Sequence, residues 1–77
     1  MSSDIEHYKA MINEKNFEQL NKEKISLGKL ISDTAGRVQQ ISGKDYERLE
    51  EQLTLMKELK SKLSIVIKRL QEIREQS

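Results

Sequence analysis

Apolar residues in the first half of the chain return every three or four positions. Set at about 100° per residue, Ile5, Tyr8, Ile12, Leu20, Leu27, Leu30, Ile31, Thr34, Val38 and Ile41 fall in one broad stripe. Such a stripe marks an amphipathic helix with one buried face. Met11, Phe17 and Ile25 lie off it, and the signal fades through "NEKN" at 13–16. Asn16 followed by Gln19 fits a capping box that would open a new helix. The stripe nevertheless keeps its phase across the gap, so the pattern predicts one continuous helix over about residues 3–35. Ser3 and Glu6 suit its first turn as N-cap and N3. Gly36 suits its end, with an alternative run-on toward Gly43.

A second periodic segment follows. Tyr46, Leu49, Leu53, Met56, Leu63, Ile67 and Leu70 recur at three- and four-residue steps, and Leu59, Val66 and Ile73 widen the face on one side. Its start carries two signals. Ser42 and Asp45 match the capping-box pattern, and Ile41 and Tyr46 occupy the positions of a hydrophobic staple. A turn over about 36–43 and a helix over about 43–75 follow. Two helices of about 32 residues would each run roughly 48 Å, and a short turn between them makes antiparallel neighbours. The expected fold is therefore all-α, an antiparallel, coiled-coil-like two-helix hairpin filling residues 1–77 as a single domain. Residue numbers across the pair should sum to roughly 80. That register sets Ile5 near Ile73, Ile12 near Leu70 and Leu27 near Leu53, and makes Glu23 and Lys60 a semi-buried pair.

One stretch exceeds what a lone hairpin can cover. "LSIVIKRL" at 63–70 crowds Leu63, Ile65, Val66, Ile67 and Leu70 together, whereas a single neighbouring helix shelters only part of a helix circumference. Ile65 points away from the seam as an exposed residue. Leu63, Val66, Ile67, Leu70 and Ile73, with Leu27, Leu30 and Ile31 opposite, form the expected partner interface. A second copy would complete a four-helix bundle as a homodimer, and a helix of another protein would fill the same groove.

Composition narrows the function classes. The 77 residues include no Pro, three Gly and no Cys; 35% are hydrophobic, 35% charged and 4% aromatic. Helix breakers are scarce, and disulfides, thiolate metal sites and cysteine nucleophiles are excluded. A single histidine, His7, with scattered acids, predicts no metal site, and no cofactor is expected. No window approaches 18 apolar residues and the N-terminus has no apolar signal core, so a soluble, intracellular, cytoplasmic protein without membrane contact is expected.

Candidate chemistry is sparse. "GRVQQISGKD" echoes a phosphate loop, but its glycines are too far apart and Asp45 stands where a magnesium-binding hydroxyl belongs. Ser3, Asp4 and His7 are triad residue types too close along one helix to act in series. Glu50, Glu51, Glu72 and Glu75 read as a solvated face, because acid–base pairs need a dry cleft. The chain is expected not to be an enzyme and to take no small-molecule substrate. With 14 basic and 13 acidic residues the net charge is +1, which gives no strong overall pull on polyanions. Residues 57–69 are locally basic, however, and Lys57, Lys60, Lys62, Lys68 and Arg69, joined by Arg37, are candidate nucleic-acid contacts. The first expectation is a non-enzymatic interaction module, an adaptor, small chaperone or regulatory subunit that packs helix in groove. A small nucleic-acid-binding regulator is the alternative.

Overall fold

In the computed structural model, which describes the backbone of residues 2–76 and the side chains from Asp4 onward, the chain forms three helices rather than two: α1 (Ser2–Asn13), α2 (Phe17–Gln40) and α3 (Tyr46–Gln76). The expected continuous first helix is interrupted at residues 14–16. Asn16 adopts an extended backbone and its side chain accepts from the Gln19 amide at 2.8 Å, while the Gln19 side chain accepts from the Asn16 amide at 3.0 Å. This reciprocal box satisfies amides that a new helix end would otherwise leave unpaired. Preserved phase did not mean continuity, because a reversal of direction can bury the same stripe on both arms. The backbone is already helical at Ser2, ahead of the expected cap at Ser3, whose side chain lies outside the described residues.

Gly36 does not end a helix. α2 continues to Gln40 and stops at Ile41, whose extended backbone turns its amide onto the Val38 carbonyl at 3.3 Å. A glycine costs a helix interior only about 1 kcal/mol, which the packing on both sides of it outweighs. The start of α3 also differs from expectation. Ser42 shapes the turn, its carbonyl accepting from Asp45 N at 3.0 Å and its hydroxyl from Lys44 N at 3.3 Å. Asp45 is the cap, with Oδ1 accepting from Arg48 N at 3.4 Å. Tyr46 thus becomes the first helical residue and stands 75% exposed, so the Ile41–Tyr46 staple is not built.

The helices run up, down and up. α2 and α3 lie antiparallel, since Phe17, Asn21 and Lys24 border Ile67, Leu70 and Arg74 at one end, and Arg37 and Ile41 border Arg48 and Gln52 at the other. Relative to the expected register α3 is shifted by about ten residues, close to three helical turns, because the turn sits at 41–45 and not around 40. α1 folds back against both helices. Ile5 sits beside Thr54, Lys57 and Glu58, and Tyr8 beside Lys62, so α1 runs parallel to α3 along its middle; Ile5 is nowhere near Ile73. The result is elongated, 50 × 24 × 15 Å.

The core follows from that arrangement. Tyr8, Ile12, Leu20, Leu27, Leu59 and Val66 are buried together, and Ile31, Leu63, Ile65, Leu70 and Ile73 pack around them half-buried. Ile65, expected to face solvent, packs against the core on the side that α1 covers. Thr34 is fully buried yet satisfied, its hydroxyl donating to the Leu30 carbonyl at 2.7 Å and accepting from Arg37 at 3.2 Å. A buried hydroxyl without such partners would be costly.

Candidate interaction surface

α1 is held by a polar latch as well as by its apolar face. The Tyr8 hydroxyl donates to Glu23 Oε1 at 2.9 Å, and Lys62 Nζ sits 5.3 Å from the centre of the Tyr8 ring. Acid, phenol and ammonium thus join all three helices through one aromatic ring, a cation–π contact on its face and a charge-assisted hydrogen bond at its tip. Burial, then the hydrogen bond to Glu23 and its negative charge, push the Tyr8 hydroxyl well above the ordinary tyrosine value. The expected Glu23–Lys60 pair does not form. Glu23 faces Tyr8, and Lys60 is exposed on α3.

Two flanks of the α2–α3 pair are thereby distinguished. On α2, Glu23 marks the flank that meets α1, and Phe17, Asn21 and Lys24 mark the opposite one. The helical repeat carries that second flank through Gly28 and Ala35 on α2 and from Ile67 through Lys60, Met56 and Leu53 on α3. Among the described residues no helix is laid over this back face. Phe17 and Leu53 are each 49% exposed and Ile67 39%, with half-buried Ile31, Met56 and Leu49 between them. A Cβ built on Gly28 would meet nothing within 4 Å, so no side chain of the chain covers that point of the face.

The expected interface residues divide accordingly. Leu27 and Val66 are buried in the chain's own core. Leu70 and Ile73 are half-buried beside them. Leu30 is exposed, but on the flank of α2 that α1 follows. Ile31, Leu63 and Ile67 border the back face. Phe17, Gly28, Leu53 and Met56 join them there and were not among the expected contacts. Phe17 carried a signal in lying off the core stripe, because a large apolar residue out of phase with a helix's buried face marks a second face.

The six basic candidates also separate. Lys62 is engaged with Tyr8, Arg69 Nη1 pairs with Glu72 at 3.4 Å while its Nε is buried without an acceptor, and Arg37 donates to Thr34. Lys60 and Lys68 project from the outer side of α3 next to the back face, whereas Lys57 lines a groove with Asp4 and Ile5 of α1. An open groove lined by Glu47, Glu50, Glu51, Thr54, Leu55 and Glu58 continues the line of α1 past its first residues.

Among the described residues no group of three or more His, Asp or Glu side chains is placed to hold a metal ion, and no helix is long and apolar enough to cross a membrane. No protein-family model, curated protein or solved structure matches this chain.

Proposed function

We propose that the chain is a non-enzymatic protein–protein interaction module, acting as an adaptor, small chaperone or regulatory subunit, whose back face takes a partner helix and so completes a helical bundle. The observation that carries this reading is the row of Phe17, Ile67 and Leu53, large apolar side chains left about half exposed along one flank of two packed helices. A helix laid in the furrow between α2 and α3 would bury the row and rest above Gly28, where the absence of a side chain lets another backbone approach. Such helix-in-groove docking gains affinity mainly from the apolar anchors at its centre. α1 serves the same end indirectly, since Tyr8 and Ile12 occupy the opposite groove together with Leu59 and Val66.

A labelled amphipathic helix with Leu on one side and Gln on the other, followed by fluorescence anisotropy, tests the reading without any contribution from charge. Saturable binding that Leu53→Glu and Ile67→Glu each weaken at least about tenfold is the expected result. Both positions are exposed, so far-ultraviolet circular dichroism should show the variants folded. Binding unaffected by either substitution would refute the assignment of the face.

A further inference from the structure

The charges beside the back face indicate what kind of helix it accepts; this inference rests on the docking role proposed above and deepens it. Lys24 lines the groove between Phe17 and Ile67, Lys60 lies mid-way along the α3 side, and Lys68 follows it about two turns on along the outer edge. None of these three lysines lies within ion-pair distance of a carboxylate among the described residues. Of the nearby acids, Glu18 pairs with Lys22 at 3.8 Å and Glu50 faces the acidic groove at the turn end; Asp4 lies on the α1 side beside Lys57, and exposed Glu75 stands about two turns beyond Lys68 near the end of α3. The surface is therefore an apolar row edged by three lysines that make no ion pair among the described residues.

We infer that the partner is an amphipathic helix with glutamates or aspartates bordering its apolar stripe. Acids at the edge of such a helix would meet Lys24 on one side and Lys60 and Lys68 on the other. A second copy of this chain fits less well. A two-fold axis lying across the face sets Lys60 and its neighbours against the same lysines, and an axis along the helices sets them against Lys24 of the other copy, so either arrangement places like charge on like. A polyanion such as RNA would engage the lysines but leave Phe17, Leu53 and Ile67 in water. An anionic bilayer suits apolar and basic residues together, and it is set against the helix as a separate arm of the experiment.

The experiment compares three helical peptides sharing one Leu stripe, edged respectively by Glu, Gln and Lys, titrated into the full chain, with anionic phosphatidylserine vesicles, mixed-sequence RNA and the protein alone in sedimentation as further arms. The Glu-edged peptide is expected to bind about tenfold or more tighter than the Gln-edged one, and the Lys-edged one weakest. That order should compress at high salt, as interactions of exposed charges do, and in a Lys24→Glu/Lys60→Glu/Lys68→Glu variant it should reverse. Equal binding of all three peptides would overturn the inference and leave the docking face intact. Tight self-association abolished by Leu53→Glu would identify a second copy as the occupant and overturn it as well. Preferential binding of vesicles or RNA, with no peptide bound, would overturn both the inference and the docking role.

Discussion

Replacing Ile12 with alanine asks whether α1 is packed where the structure puts it. Ile12 is fully buried in a cluster with Tyr8, Leu20 and Val66. Truncation removes three carbons, worth about 2.4 kcal/mol at roughly 0.8 kcal/mol each, and the cavity left behind brings such changes into the range of about 2 to 5 kcal/mol. Two features of the fold set where in that range the variant falls. Leu20 and Val66 sit on the two long helices and cannot easily close the hole. α1, by contrast, is a 12-residue helix on a short connector, and a helix of that length is marginal by itself, so it can fray and cap the loss at its own docking energy. About 2 to 3 kcal/mol is therefore expected. A chain of 77 residues has a total stability of about 4 to 12 kcal/mol, so this is a substantial part of the whole. Urea denaturation followed by circular dichroism reads it directly. Met11→Ala is the internal control, since Met11 is exposed and its truncation should cost no more than about 0.5 kcal/mol. If Ile12→Ala and Met11→Ala cost the same, α1 does not lie over Val66, and the front groove is open after all.

Other expectations concern single features. Gly28→Ala and Gly36→Ala should each stabilise the chain by about 0.5 to 1 kcal/mol, because both glycines are helical, neither has positive φ and an added methyl meets nothing within 4 Å; a fall in the thermal midpoint would show that something crowds those positions. Asn16→Ala, which removes the acceptor for the Gln19 amide, should cost about 0.5 to 2 kcal/mol in the same denaturation assay, and a neutral result would argue against the break at residues 14–16. Tyr8→Phe should change the alkaline limb of stability. The folded chain holds the Tyr8 proton more tightly than the unfolded one, so the contribution is whole below the ordinary tyrosine value of about 10 and is lost as pH rises past it toward the raised folded value. Denaturation from pH 7 to 11.5 should show wild type losing more stability than the variant, and parallel curves would mean that the hydroxyl is not held by Glu23.

How much of this was legible depends on whether a feature is local. The helical periods, the reciprocal Asn16–Gln19 signature and the acidic cap near residue 45 are local, and each can be found in a few neighbouring letters. Whether the chain reverses at Asn16 is not, because Ile12 and Leu20 share a phase whether the helix runs on or folds back. That single ambiguity propagates. With α1 placed as an extension of α2, Val66 and Ile65 had no cover and the greasy stretch at 63–70 looked like an interface. With α1 folded back, Val66 is fully enclosed and the free apolar surface moves to the other flank. The partners of Glu23 follow the same logic, since a register shifted by about three turns carries Lys60 away and leaves Tyr8 in reach. The lysines beside the back face belong to a basic run that the sequence shows, but only the packed helices separate Lys60 and Lys68 from Lys57, Lys62 and Arg69.

The central claim is that the flank bearing Phe17, Leu53 and Ile67 is where a partner helix sits. Mapping backbone amide shifts of isotope-labelled protein on addition of the Glu-edged peptide tests it residue by residue. The largest changes are expected around Phe17, Gly28, Leu53 and Ile67, with α1 and the Glu47–Glu58 groove undisturbed. Changes concentrated on α1, or displacement of α1 from Val66, would contradict it and place recognition on the opposite side of the bundle.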